Sequence, residues 1–325
     1  MLNWGIIGLG SMAHQFANAI NELENVKLLS VASRSKSKLE NFQKNFKIER
    51  KNLYQNYEDI IDCPNLDAVY ISTLNFTHLK ILKLLSNSKI KILCEKPFVM
   101  NFTEAQEISS KIKKEQNNFY EAIAYRSHPQ TSKVLELINN DEIGKIEKIK
   151  STFGFKVRKI RKKSRLFNKE TGGGVLLDLG CYPVSFIRLF LNQNSKLMID
   201  NVKGSICKTD VEDHAELRGS INDNIEIDLK ISFRENMENS CIIYGSKGIL
   251  KVPSPWLPQK KTYIEIDKKN SYYKNFVNCN FSVYANQINT ISNKFFMKDE
   301  IRDNLVNIDE SVEISKTLTE WKNKI

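Results

Sequence analysis

The stretch Asn3-Trp4-Gly5-Ile6-Ile7-Gly8-Leu9-Gly10-Ser11-Met12-Ala13 decides the fold. A short apolar run ends in glycine, and Ser11 to Leu23 then carries helical spacing at Met12, Phe16, Ala19, Ile20 and Leu23. Between run and helix sits G-x-G-x-x-A. Its glycines allow a tight turn and let a pyrophosphate approach backbone amides at the positive end of the helix, while Ala13 permits close packing of helix on strand. A second apolar strand follows at Val26 to Ala32, completing a βαβ unit of the length this fingerprint requires.

The end of that second strand discriminates between cofactors. An NAD site places an acid there, about 20 residues past the motif, to hold the ribose hydroxyls. Here Ser33-Arg34-Ser35-Lys36 stands in that place, and the first acid afterwards is Glu40. A hydroxyl and a guanidinium suit a 2′-phosphate, because arginine grips phosphate through parallel hydrogen bonds. NADP(H) is expected over NAD(H).

Outward from this unit the alternation continues. Leu66 to Thr73 is expected as a strand, His78 to Asn87 as a helix, Ile90 to Glu95 as a strand and Thr103 to Gln116 as a helix, with Thr103, Glu104 and Gln106 read as its capping box. Strands alternating with helices imply a parallel sheet whose ligands bind at the carboxyl ends of the strands. At one such end, Ile92-Leu93-Cys94-Glu95-Lys96-Pro97-Phe98, three apolar residues run into an acid, a base and a proline. Farther along, Ile225, Ile227, Leu229, Ile231 and Phe233 alternate with Glu226, Asp228, Lys230 and Ser232, the period of a strand with one buried face. Further short strands are expected at 146–155, 215–221, 240–245 and 248–252.

A chain of 325 residues suggests two domains. With 41% hydrophobic and 27% charged residues, and no apolar run of spanning length, a soluble cytoplasmic protein is expected, without membrane anchor or signal peptide. Cys63, Cys94, Cys181, Cys207, Cys241 and Cys279 lie far apart and are read as packed thiols. His14 and His214 are expected to carry no chemistry, the latter at a strand edge, and no metal site is expected. The 49 basic and 38 acidic residues give +11, but the lysines are scattered, so nucleic acid is not expected as a partner. One true basic cluster exists, Val157 to Arg165, with Arg158, Lys159, Arg161, Lys162, Lys163 and Arg165. It is read either as a solvated loop or as a collar for an anionic substrate.

Several separated stretches, GIIGLGSMA (5–13), STLNFTHLKILKLL (72–85), ILCEKPF (92–98), EAIAYRSHPQTSKVLELI (121–138), RLFNKETGGGVLLDLGCYPVSFIR (165–188) and YGSKGILKVPSPW (244–256), occur in an order that resembles the glucose-fructose oxidoreductase/inositol dehydrogenase (Gfo/Idh/MocA) family. Within it the chain is most similar to the branch of dimeric dihydrodiol dehydrogenase and NADP-dependent D-xylose dehydrogenase, as far as about Pro258. The resemblance implies an α/β protein. Residues 1–122 would form a doubly wound parallel Rossmann domain, and residues 123–325 a domain for substrate binding and oligomerisation, built on a large, mostly antiparallel open sheet.

The resemblance also implies a site. Gly8, Gly10, Ser11, Met12, Ser33, Arg34, Thr73, Asn75, His78, Glu95 and Lys96 would border the cofactor, with capping of its own helix as the alternative for His78. Tyr125, Arg126, His128 and Arg165 would border the substrate, and Lys96, Asp178 and Tyr182 would be catalytic. Asp178 and Tyr182, four apart, share one face of a helix, and Pro183 calls for a kink or a fresh helix start beside them. A free tyrosine titrates near ~10, and a neighbouring ammonium favours its phenolate. The activity implied is hydride exchange between NADP(H) and a hydroxyl or carbonyl carbon of a sugar or polyol, with aldose 1-dehydrogenase or trans-dihydrodiol dehydrogenase types leading and a homodimer or tetramer expected. The alternative is a nucleotide-binding sensor without turnover.

Overall fold

The computed structural model describes residues 1–112, 118–191, 195–222, 224–297 and 304–325. Two compact units result: Met1–Ile123 with Tyr284–Glu313, and Ala124–Val283 with Ile314–Ile325. The first division lies between Ile123 and Ala124. The second unit, however, is not the whole remainder of the chain, because 284–313 returns to the first.

The first unit begins β1 (Leu2–Ile7), α1 (Ser11–Ile20), β2 (Val26–Ala32), α2 (Lys36–Phe46), β3 (Leu53–Tyr54), β4 (Ala68–Ile71), α3 (Asn75–Leu85), β5 (Lys91–Cys94), α4 (Phe102–Ile112) and β6 (Phe119–Glu121). The second unit contributes α5 (Pro129–Asn139), β7 (Ile146–Gly154), α6 (Cys181–Arg188), β8 (Leu197–Ile206), β9 (Glu212–Ile221), β10 (Ile225–Ser232), β11 (Ser240–Gly245), β12 (Gly248–Pro253), β13 (Lys261–Lys268) and β14 (Ser271–Asn278). Then come α7 (Val283–Met297), β15 (Val306–Asn307) and α8 (Ile308–Asn323).

In the first sheet the order is β15-β6-β5-β4-β1-β2-β3, parallel except for β15, which pairs antiparallel with β6. Strand order 3-2-1-4-5-6 is the doubly wound arrangement, with its switch point between β1 and β4. Near-continuous apolar strands such as Ala68–Ile71, buried throughout, are what a sheet covered on both faces demands. Helix α1 buries Ala13, Phe16, Ala17, Ala19 and Ile20. Phe16 stacks on Tyr70 at 4.0 Å and meets Trp4 edge-on at 5.3 Å.

The cap of α4 differs from expectation. Asn101, not Thr103, accepts the Glu104 amide at 3.0 Å, and Glu104 reaches back to the Met100 amide at 3.0 Å. The box is shifted by two residues because the helix begins at Phe102; residues 113–116 of the expected helix lie outside the described residues.

The second sheet runs β14-β13-β12-β11-β7-β10-β9-β8, antiparallel but for β10 on β7. The alternation in β10 buries Ile227, Leu229 and Ile231, and Phe233 just beyond it. Each such side chain contributes about 1.5–3 kcal/mol relative to exposure. His214 lies in β9, between β8 and β10, not at a sheet edge. His14 packs against Phe42 at 4.3 Å, on helix α1 as expected. Among the described residues no helix is long and apolar enough to cross a membrane.

Candidate active site

In the first unit the glycine turn meets the end of β4. Gly8 has φ +90°, and a Cβ there would lie 2.5 Å from Thr73 Cγ2, so only glycine fits without strain. The Ser72 hydroxyl donates to Gly8 O at 2.7 Å, locking the two loops together. Gly10 is different: φ is −99°, and a Cβ would meet nothing within 4 Å. This open space lies over the first turn of α1, which has no acid and no side-chain cap on its leading amides. An anion fits there. Ser11 is exposed and Met12 half-buried at the same turn.

The end of β2 is equally suited to negative charge. Arg34 is exposed, its guanidinium 5.0 Å from the Tyr57 ring centroid. Ser33 is buried and accepts the Ser35 amide at 3.2 Å, while Ser35 caps α2, whose first turn also lacks an acid. These side chains fit a nucleotide phosphate beyond β2, and the Gly8–Ala13 turn fits the pyrophosphate.

Lys96 follows β5 in the same unit. Lys96 and Glu95 are half-buried, and the Lys96–Pro97 peptide is cis. Three neighbours hold this segment. Tyr70, fully buried, donates its hydroxyl to Glu95 Oε1; burial, with Glu95 adding to it, pushes the phenol well above its usual range, so it stays a donor. His78 reaches Pro97 O from Nδ1 at 3.0 Å and Thr73 O from Nε2 at 3.2 Å. Burial brings its pKa down to about 4, against the pull of both carbonyls, so the ring is neutral at pH 7 and only one nitrogen donates at a time. Glu121, at the end of β6, accepts the Phe98 amide at 3.1 Å.

With its ring fully buried between two carbonyls, His78 donates to either Thr73 O or Pro97 O and spaces the two segments, neither an open cofactor contact nor a cap of its own helix. Asn75 starts α3 and is half-buried, as Thr73 is. Tyr284, in the first turn of α7, stands close enough to feel both charges of the motif: burial and Glu95 raise its pKa, and Lys96 pulls it down.

In the second unit Asp178 lies in a single π-turn, Leu176–Gly180, that runs into α6. Such widened turns concentrate at functional sites. The interruption that Pro183 called for is a π-turn followed by a fresh helix at Cys181, which puts Asp178 and Tyr182 in different elements and leaves Pro183 in the first turn of α6, where its missing N–H costs least. Asp178 is 6% exposed and bonds Arg165 at 2.9 Å, tying the basic run to this turn. The run itself is exposed at Arg158, Lys159, Arg161, Lys162 and Lys163.

The Tyr182 ring is half-buried against Phe153, edge-on at 5.1 Å, and against Trp256 at 6.1 Å. Its backbone is held from behind. Tyr125 donates its hydroxyl to Tyr182 O at 3.2 Å and lies 2.7 Å from Ser185 Oγ, and Arg126 Nη1 donates to Ser185 O at 2.6 Å. Both side chains are buried, so these two residues brace α6; the expected bordering of a substrate is not what their geometry offers. His128 likewise caps α5: Nδ1 accepts the Gln130 amide at 3.1 Å, and burial lowers its pKa to about 4.

Tyr70, Tyr284, Glu121 and Ser185 are absent from the sequence-based site. One signal pointed to Glu121: like Glu95, it is an acid closing an apolar strand, and Cys94 pairs with Glu121 in the sheet.

Residues 2–123 match the family model described as the oxidoreductase family, NAD-binding Rossmann fold, and residues 131–251 match the GFO/IDH/MocA C-terminal domain. The chain is 29% identical over 258 residues to a trans-1,2-dihydrobenzene-1,2-diol dehydrogenase of Xenopus tropicalis, covering 78% of this chain and 76% of that protein. Two solved structures share the fold: an aldose-aldose oxidoreductase from Caulobacter crescentus (TM-score 0.89, 18% identity, 99% and 97% of the two chains) and KijD10, a 3-ketoreductase from Actinomadura kijaniata in complex with NADP and TDP-benzene (TM-score 0.87, 17% identity, 99% and 97%).

Proposed function

The chain belongs to the Gfo/Idh/MocA oxidoreductase family, and from that premise we propose that it exchanges hydride between NADP(H) and a hydroxyl-bearing carbon of a sugar or related polyol. One observation carries the reading. Within the first unit a continuous series of contacts runs from the Gly8 turn to Thr73, from Thr73 O to His78, and from His78 to Pro97 O, so Lys96 is fixed relative to the turn that receives a pyrophosphate. A sensor that merely bound nucleotide would gain nothing from holding an ammonium so carefully.

Gly8, Gly10, Ser11 and Met12 would hold the pyrophosphate, and Ser33 and Arg34 the 2′-phosphate; Thr73, Asn75, His78 and Glu95 complete the cofactor side in this reading, His78 by spacing the two segments. When bound, the nicotinamide supplies or accepts the hydride. Tyr182 exchanges the proton at the substrate oxygen. Lys96 favours its phenolate and stabilises negative charge developing on that oxygen. Asp178, partnered by Arg165, orients the substrate hydroxyls, and Tyr125, Arg126 and His128 serve by bracing. Oxidation of an aldose to a lactone and of a trans-dihydrodiol are the leading cases, the latter supported by the similarity to the Xenopus enzyme.

An anionic substrate is favoured by the five exposed cations between Arg158 and Lys163, for which no ion pair occurs among the described residues. A cytoplasmic homo-oligomer, dimer or tetramer, completes the proposal. Supporting it, the edge strands of the second sheet expose Met198, Ile206, Tyr272 and Phe276, the last at 71%.

The test is steady-state reduction of NADP⁺ and NAD⁺ with a panel of aldoses, phosphorylated sugars and trans-dihydrodiols, repeated for Lys96→Ala, Tyr182→Phe and the double variant. Turnover with a preference for NADP⁺, and two single losses that fail to add in the double variant, are expected. Tight nucleotide binding with no turnover on any substrate would favour the sensor instead.

A further inference from the structure

Glu121 is the most deeply buried carboxyl of the first unit that the proposed reaction does not use. It closes β6, is 3% exposed, and is enclosed by Cys94 of β5, Phe98 and α8. Oε1 accepts the Phe98 amide at 3.1 Å, two residues past Lys96. Oε2 is fully buried with no hydrogen-bond partner, and so is the hydroxyl of Ser311 in α8, which lies close enough to act on the carboxyl. Two orphaned oxygens side by side have a simple resolution. A neutral acid donates from Oε2 to Ser311 Oγ and keeps accepting the Phe98 amide at Oε1.

We infer that Glu121 is a positioning residue for Lys96: from β6 it grips the Phe98 amide while His78 grips the Pro97 carbonyl from α3, so the segment that carries the ammonium is held on both sides. The inference rests on the role proposed for Lys96. The setting favours the neutral acid. Burial raises the carboxyl to about 7, Glu310 of α8 and Glu95 of β5 add to the rise, and the Ser311 hydroxyl and Phe98 amide oppose it. Cys94, the other titratable group facing it, is itself pushed well above its usual range by burial and by the two carboxylates, and so stays an uncharged thiol.

The two-sided hold follows from topology. In a parallel sheet the end of β5 can be reached from the next strand, β6, and from the helix preceding β5, α3, and each supplies one polar side chain to one backbone group of 97–98. Removing either leaves residues 97–98 with one of these two side-chain anchors, while Tyr70 still holds Glu95.

The experiment uses the full chain with Glu121→Gln and Glu121→Ala. Glutamine reproduces the neutral acid, its amide donating to Ser311 and its carbonyl accepting from Phe98. Alanine removes both bonds. With the nucleotide bound, hydrogen exchange at the Phe98 amide should quicken about tenfold or more in the alanine variant and stay near wild type in the glutamine variant. Acylation of Lys96 by acetic anhydride, read by mass spectrometry, should change in the alanine variant only. In turnover the alanine variant should lose about tenfold or more in kcat with nucleotide affinity unchanged, because misplacing a group by about 1 Å is that costly. The glutamine variant should recover kcat and lose the inflection near neutral pH that ionisation of Glu121 gives the wild type. Equal exchange, acylation and kcat in all three proteins would overturn the assignment, as would a glutamine variant as impaired as the alanine one. Wild-type protein that turns over no substrate would sink the proposed function, while the exchange and acylation ratios still decide whether Glu121 sets the Lys96 segment.

Discussion

Gly10 and Gly8 stand two residues apart in the same turn, and the structure assigns opposite consequences to adding one methyl group to each. At Gly10, φ −99° and ψ −166° suit any L-residue, and the new Cβ meets nothing within 4 Å. Loss of backbone freedom in the unfolded chain favours alanine by about 0.4–1 kcal/mol, the poorer cap disfavours it by a similar amount, and stability should change by less than about 1 kcal/mol. At Gly8, φ +90° costs an L-residue about 1–2 kcal/mol, and the contact at 2.5 Å with Thr73 adds overpacking strain of about 1–3 kcal/mol. Gly8→Ala should therefore melt markedly lower. Nucleotide binding should follow a different order. In Gly10→Ala the methyl group occupies the space assigned to the pyrophosphate, and losing one charge-assisted hydrogen bond of about 1.5–3 kcal/mol weakens NADPH binding about ten- to hundredfold. The assays are thermal melting without ligand and titration of NADPH by fluorescence. A Gly10→Ala protein that melts like wild type and binds NADPH equally well would refute the placement of the pyrophosphate.

Two further outcomes follow from charges. Since burial lowers His78 from 6.5 to about 4, its folded form resists protonation, and the cost to the fold grows as pH falls from 6.5 towards 4, reaching about 3 kcal/mol; urea unfolding across this window should show His78→Asn losing less stability on acidification than wild type, and parallel curves would contradict the neutral buried ring. Replacing Arg158, Lys159, Arg161, Lys162 and Lys163 by glutamine should raise KM about tenfold for a phosphorylated sugar and leave a neutral aldose unaffected, with the wild-type advantage shrinking in high salt; equal effects on both substrates would assign the run to solvation alone.

What the sequence disclosed about the fold tracks how local the determining physics is. Strand β2 was legible to the residue because Val26 to Ala32 is an apolar run bounded by polar turns, and β10 because its alternation spans a full buried face. The excursion of 284–313 was hidden for the opposite reason. Its one strand, β15, is two residues long and pairs with β6, nearly two hundred positions earlier in the chain, and no periodicity marks so short a segment. Strands β8 and β14 were missed because they form the sheet edges and turn large apolar side chains such as Met198 and Phe276 outward, against the pattern a reader expects.

The site divides in the same way, between groups whose chemistry announces itself and groups whose importance arises from register. Lys96 is a charge closing an apolar strand, an incongruity visible in one dimension, whereas Asp178 and Tyr182 stand out in the sequence through the resemblance of residues 165–188 to the family. Tyr70, Glu121 and Ser185 look ordinary until the strand order is known. Once it is, the parallel pairing of β5 with β6 sets Glu121 beside Cys94, and Glu95 comes next in the chain. Two acids at the ends of neighbouring strands cannot both be buried as anions without several kcal/mol of cost each, so their environments must part them. Glu95, half-buried, receives the Tyr70 hydroxyl, whereas Glu121 is fully enclosed and has its pKa raised. The separation of roles on either side of Lys96 is thus a consequence of sheet topology acting on two similar residues, and a sequence without its strand order could not have assigned them.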